Sequence, residues 1–196
     1  MAHPRRLTGD HPRRQTGVAS SGVSLPALPG ERHVCGECAF SYVETDADRA
    51  LITVESVLED LVSLAPVMRA RSAVRLSRDT WSVIEYLCHL RDVLMTSTLR
   101  LHRIAVEYLP TLEPMYNDVR ALRFRYRDAD VIATLEDLGR AYVGLADEVA
   151  ATEVDTWRRL GRRWPGEERT GLWIVRHAAH EAHHHAQDIR KRLELP

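Results

Sequence analysis

The sequence predicts an all-α protein, a four-helix bundle behind a disordered N-terminal tail. Three observations predict it. Four stretches repeat apolar residues at the helical period of 3.6, and no stretch keeps a period-2 alternation between turn signals, so no strand is expected. The opening thirty-odd residues have a composition that cannot bury enough apolar surface to offset chain entropy. With 196 residues, 44% hydrophobic and 28% charged, the chain is long enough for one domain with a well-buried core.

Each element follows in order. HPRRLTGD at 3–10 is nearly repeated as HPRRQTGV at 11–18, and SSGVSLPALPGE comes next. Residues 1–32 are therefore read as the disordered tail, 33–45 as a lead-in segment carrying a C-x-x-C, and 46–193 as the bundle. From Thr45 onward, apolar positions 47, 50, 51, 54, 57, 58, 61, 64 and 65 trace one helical face, and Pro66 ends or kinks that first helix. Ser82 and Glu85 have capping-box spacing and open a long second helix, with Val83, Leu87, Leu90, Leu94, Leu101 and Ile104 as its stripe up to Pro110. PTLEPMYND then reads as a loop or crossover. A third helix runs from about Asp128 to Ala151, weakened slightly by Gly139 and Gly144. After the irregular WRRLGRRWPGEE, Thr170 can cap a fourth helix reaching about Leu193. Four long amphipathic helices imply an antiparallel bundle with at least one long connection.

Composition excludes several function classes. A formal net charge of −1 and a pI near 6.8 show no basic excess, so no nucleic-acid partner is expected. No run of eighteen apolar residues and no apolar signal core are visible, so no membrane partner is expected and the cytoplasm is the expected location. Three cysteines fit a reducing compartment and are too few for a disulfide scaffold.

Chemistry concentrates near the end, in HAAHEAHHHAQDI at 177–189. His177, His180, His184 and Asp188 form a stripe beside the small-residue packing face, while His183 and His185 point elsewhere. At i, i+4 spacing, His180 and His184 can converge on one cation. A solvated His-rich helix end is the competing reading. His89, in YLCHLRD at the middle of the second helix, needs a partner because a buried imidazole must be desolvated. If the second and fourth helices are neighbours, His89 completes a three-histidine site with an open coordination position, the ligand set of a catalytic centre. HEAHH also satisfies the zinc-protease lettering H-E-x-x-H, with Glu181 as base. Only twelve residues follow His184, and no strand is offered to hold an extended peptide, so Glu181 is read as a polar or ligand-supporting residue instead.

WSVIEYLCHLRDVL at 81–94 and HEAHHHAQDI at 180–189 resemble the two motifs of the DinB/YfiT-like superfamily, which includes the mycothiol-dependent maleylpyruvate isomerase type. The resemblance covers residues 46–193. It implies an up-down-down-up four-helix bundle whose metal is held by one histidine of the second helix and two of the fourth. Carried over residue by residue, that puts the ligand roles on His89, His180 and His184. Asp92 and Asp188 match acidic positions that can orient imidazole N–H groups, with Glu181 a third such candidate; surface or capping carboxylates are the alternative. The resemblance further implies a divalent metal, zinc or nickel, and a small-molecule substrate. It implies either a transferase or isomerase using mycothiol or another low-molecular-weight thiol, or a metal-dependent hydrolase. A non-catalytic metal-binding bundle and a homodimer formed through a helix face are the remaining alternatives.

Two further groups carry chemistry of their own. Arg120, Arg123, Arg125 and Arg127 can recognise a carboxylate or simply solvate a helix entrance. Cys35 and Cys38 can fill two corners of a zinc tetrahedron, but the sequence shows no second cysteine pair, and Cys88 is the only other thiol. A redox role would need a thioredoxin-like strand-to-helix turn. The expectation for the pair is a lid or local staple.

Overall fold

The computed structural model describes residues 27–72, 80–163 and 166–194. Helix α1 (Ala47–Ser63) starts where the Asp46 carboxylate accepts the Arg49 N–H at 2.8 Å. Helix α2 (Ala65–Arg71) follows at once, with Pro66 in its first turn, where a missing N–H costs nothing. Helix α3 (Val83–Val106) opens on the expected box: the Glu85 carboxylate accepts from the Ser82 backbone N–H at 2.8 Å and from its hydroxyl at 2.7 Å. The crossover holds a short helix α4 (Asn117–Arg123) and a 3₁₀ turn at Tyr126–Asp128. Helix α5 (Val131–Ala150) is capped by Asp130, and helix α6 (Gly171–Leu193) by Thr170, whose hydroxyl accepts the Trp173 N–H at 3.0 Å. No helix among the described residues is long and apolar enough to cross a membrane.

Side-chain bonds at the helix ends fix the directions. Arg176, early in α6, donates to the Thr45 carbonyl at 2.5 Å, and Arg190, late in α6, grips Asp60 with Nε–Oδ2 at 3.0 Å. Helices α1 and α6 are therefore parallel. Arg192 donates to the Trp81 carbonyl at 3.0 Å, joining the end of α6 to the start of α3, so those two are antiparallel. Asp92, in the first half of α3, bonds Arg120 and Tyr126 just before α5, which makes α3 and α5 parallel. The order is up-down-down-up. The connection from Glu107 to Asp130 brings the chain back to the end where α3 began.

One expectation is corrected here, since strands do exist. β1 (Thr111–Leu112), β2 (Leu160–Arg163) and β3 (Glu167–Thr170) form a small sheet, with β1 parallel to β2 and β2 antiparallel to β3. Two to four residues are too few to show a period. The pairing is carried by charge as well, since Arg162 and Arg163 face Glu168 and Glu167 in register and bond them at 3.1 and 3.2 Å.

The expected tail falls mostly outside the described residues. Its last stretch, however, is docked: the Glu31 carboxylate accepts from the Thr170 N–H at 2.9 Å, and the Trp173 indole N–H donates to the Pro29 carbonyl at 3.1 Å. Those partners lie some 140 positions away, which is why composition alone put the boundary at 32.

Every residue from Ser82 to Leu90 is buried, because the start of α3 is enclosed by α5, α6 and the crossover. His89 lies in that stretch, so its imidazole must find protein partners. Backbone approach is closest at Gly171, where an added Cβ would stand 2.8 Å from the Thr156 carbonyl oxygen. Gly171→Ala is expected to destabilise the fold by about 1–3 kcal/mol through overpacking against backbone that cannot yield. The midpoint of denaturant unfolding reads this out, and an unchanged midpoint would show that the turn moves aside.

Candidate metal centre

Helix α6 carries two one-turn pairs, His180 with His184 and Glu181 with His185, offset by a single residue. One residue is about 100° around a helix, so the pairs face different neighbours. The second pair faces α3. The Glu181 carboxylate stands 3.1 Å from His89 Nε2 and 3.5 Å from His185 Nε2, and the ligand atoms of the three residues form one compact group. His185 turns its Nδ1 to Asp188 at 3.1 Å. His177 lies at the edge, its Nε2 3.9 Å from Glu181 and its ring stacked on Trp173 at 4.5 Å.

The electrostatics describe a cluster that attracts positive charge. Burial alone would raise the Glu181 carboxyl, yet the neighbouring His177 and the bonds from His185 and His89 hold it well below the carboxylate range. Burial alone would lower His185, but Asp188 and Glu181 outweigh it and raise the imidazole to about 9. His177 is pushed down to about 4, chiefly by burial. A group that holds His185 in its charged form would also favour a divalent cation, and metal binding would release a proton. The donor set fits such an ion. Ligands at ~2.0–2.1 Å on a tetrahedron stand about 3.4 Å apart, close to the spacings around Glu181.

The first pair faces the other way. His180 and His184 meet Cys35 and Cys38, and the ligand atoms of all four lie within 4.8 Å of one another. Of the three histidines expected as one ligand set, His89 groups with Glu181 and His185, while His180 and His184 group with the thiols; His180 also lies within reach of His177 and Glu181, and His184 within reach of His185 and Asp188. The roles spelled by H-E-x-x-H are divided in the same way. Asp188 does orient an imidazole, that of His185, and also stands 3.7 Å from His184 Nε2. Asp92 faces elsewhere; its carboxylate bonds Arg120 at 2.6 Å, Arg91 at 2.8 Å and the Tyr126 hydroxyl. Glu181 and His185 share the i, i+4 spacing of His180 and His184, so spacing alone does not choose between the two pairs.

Against the His89–Glu181 side lies a cavity of about 270 Å³, walled by Ser97, Arg100, Met115 and Arg163 and floored by His89, His177 and Glu181. Arg100 Nε is buried with no hydrogen-bond partner, and burial together with the nearby Arg163 cation lowers the guanidinium to about 10. None of Arg120, Arg123, Arg125 and Arg127 lines this cavity. Arg120 is held by Asp92, and Arg125 by Asp128 at 2.6 Å. The cavity arginines come from α3 and β2, which only the fold brings together.

An up-down-down-up bundle whose second and fourth long helices turn histidine and glutamate donors toward one cavity is the class this chain defines. A family model described as the DinB superfamily matches residues 38–189, and the chain belongs to that superfamily. Among solved structures it is similar to YfiT from Bacillus subtilis, described as a probable metal-dependent hydrolase with an unusual four-helix bundle topology. That likeness has a TM-score of 0.64 at 20% identity and covers 76% of this chain and 89% of YfiT. It is also similar to TT2238, described as a four-helix bundle protein, with a TM-score of 0.55 at 20% identity over 74% of this chain and 98% of the other. No curated protein matches the chain.

Proposed function

We propose that the protein is a divalent-metal-dependent transferase of the mycothiol S-transferase or isomerase type. In this reading His89, Glu181 and His185 hold the ion, and a small anionic substrate meets a low-molecular-weight thiol in the adjoining cavity. The observation that carries the reading is the cavity itself, which has metal donors on its floor and a buried, unpartnered guanidinium nitrogen in its wall. Two imidazoles and a carboxylate suit zinc, and imidazole also suits nickel.

Bound there, a divalent ion lowers the pKa of a thiol or water that reaches it. The chain's own residues do the rest. Asp188 accepts the His185 Nδ1–H and so turns Nε2 toward Glu181. Arg100 and Arg163 present positive charge to an anionic group entering the cavity. His177, kept neutral near pH 7 by its burial, leaves the cavity floor without a second cation beside the donors. Hydrolysis, with water in place of the thiol, is the second reading, and the description of YfiT as a probable metal-dependent hydrolase favours it.

Metal-loaded protein incubated with mycothiol and either monochlorobimane or a carboxylate-bearing electrophile tests the first reading. Adduct formation above the metal-free control supports it; no such excess moves the choice to hydrolysis. Arg100→Leu is expected to raise KM for the carboxylate-bearing electrophile by about tenfold to a hundredfold, the worth of a charge-assisted hydrogen bond, with metal content unchanged. An unaltered KM would remove Arg100 from substrate recognition.

A further inference from the structure

The C-x-x-C segment, expected as a lid or local staple, has a definite geometry. Cys35 N–H bonds the Phe40 carbonyl at 2.9 Å, Ala39 N–H bonds the Cys35 carbonyl at 2.9 Å, and Tyr42 N–H bonds the His33 carbonyl at 2.9 Å, closing a tight hairpin. Ala39, immediately after Cys38, takes a left-handed φ of 59°. A non-glycine residue adopts that conformation only where its surroundings demand it, and here it curls the chain so that both thiols point to one side. That side is α6. Cys35 and Cys38 are buried and unpaired as thiols.

The two histidines of α6 meet them with the right atoms. Cys35 Sγ is 3.7 Å from His184 Nδ1, close to the edge of a tetrahedron built on bonds of about 2.3 Å to sulfur and ~2.0–2.1 Å to nitrogen. His184 Nε2, the other ring nitrogen, stands 3.7 Å from Asp188. His180 Nδ1 bonds the Tyr42 hydroxyl at 3.1 Å, while its Nε2 is buried with no partner at all. A buried imidazole nitrogen left empty is costly unless something absent from the protein fills it. His184 thus turns Nδ1 to a thiol with carboxylates near its other nitrogen, and His180 keeps Nε2 empty while Tyr42 holds Nδ1, as in a metal-bound imidazole whose second nitrogen has a protein partner. Phe40 stacks on His180 at 5.4 Å, His183 Nε2 bonds the Cys38 carbonyl at 3.2 Å, and none of Cys35, Cys38, His180 and His184 lines the cavity.

We propose that Cys35, Cys38, His180 and His184 form a closed, structural site for a tetrahedral divalent ion, zinc foremost, distinct from the centre at His89, Glu181 and His185. Two thiolates and two imidazoles make up the ligand set of closed structural zinc sites, and the second ligand pair that the sequence did not show is supplied by α6. The ion fastens the hairpin to the bundle. It also clamps the helical turn that carries Glu181 and His185, so the structural site holds the open one in register. The Tyr42 hydroxyl links the two sides, since it also reaches His177 Nδ1 at 3.0 Å.

The test uses the full chain without a histidine tag, stripped of metal under reducing conditions and titrated with cobalt(II). Thiolate-to-cobalt charge-transfer absorption in the near ultraviolet and strong visible bands of tetrahedral cobalt are expected, and added zinc should abolish both. The charge-transfer absorption should fall by about half in Cys38→Ser, vanish when Cys35→Ser is added to it, and survive in His89→Ala. Its absence from the wild type, or its persistence in the doubly substituted protein, would overturn the proposal. A second measurement does not depend on the variants folding. A mercurial thiol reagent added to zinc-loaded wild type should release one equivalent of zinc in step with loss of the thiolates, and no release would overturn the proposal equally. Because His89→Ala reports only on the other centre, failure there leaves this result standing.

Discussion

Replacing His89 by alanine is expected to abolish metal binding at the cavity, weakening it about a hundredfold or more, and to take any thiol transfer or hydrolysis down with it. The scale follows from ordinary experience of metal sites, where even the outer partners of ligands cost about 10–100-fold when removed. His89 is the sole contribution of α3 to the group. Without it, Glu181 and His185 remain on a single helix turn, a pair that cannot enclose an ion. Metal analysis of the untagged variant reads this directly. Full cavity-site occupancy in His89→Ala, with the thiolate site accounted for, would remove His89 from the ligand set. His89→Gln, which keeps most of the volume, separates loss of the ligand from loss of packing.

Asp92→Asn is expected to cost about 2–3 kcal/mol of stability without altering metal content. The carboxylate is buried and bonded to Arg91, Arg120 and Tyr126. Breaking a fully buried ion pair costs ~3–5 kcal/mol, and the smaller figure applies because both guanidinium groups still reach solvent. For a chain of this size that corresponds to a fall in Tm of about 4–12 °C. The pH dependence has a definite sign. Burial would raise the Asp92 carboxyl, but Tyr126, Arg120 and Arg91 prevail and hold it below its ordinary value. A depressed carboxyl stabilises fully above its ordinary range and loses that contribution as pH falls through the folded value. The wild type should therefore lose stability in acid more steeply than Asp92→Asn. Parallel curves would show that the network adds nothing beyond packing.

Much of the fold was legible because its signals are local. The Ser82–Glu85 box and the Thr170 cap each lie within one helical turn of the residues they serve, and all four long helices show their stripes within a single stretch. The strands were not legible, since Thr111–Leu112 and Leu160–Arg163 pair only after the crossover has placed them side by side. Similarly, the docking of Pro29 and Glu31 onto Trp173 and Thr170 belongs to no local pattern.

The donors themselves were all visible in the sequence: His89 in α3, the run from His177 to His185, and the Cys35–Cys38 pair. Residue type marks the candidate donors, and spacing alone shows that the 180/184 pair shares a helix face. It could not determine how they are partitioned. A shift of one position turns a side chain about 100° around the helix, and which face meets α3 and which meets the hairpin depends on how α6 is rotated in the bundle. Tertiary packing decided that rotation. It set Glu181 and His185 beside His89 and a cavity, and His180 and His184 beside the two thiols, so one short histidine-rich run adjoins two groups of donors.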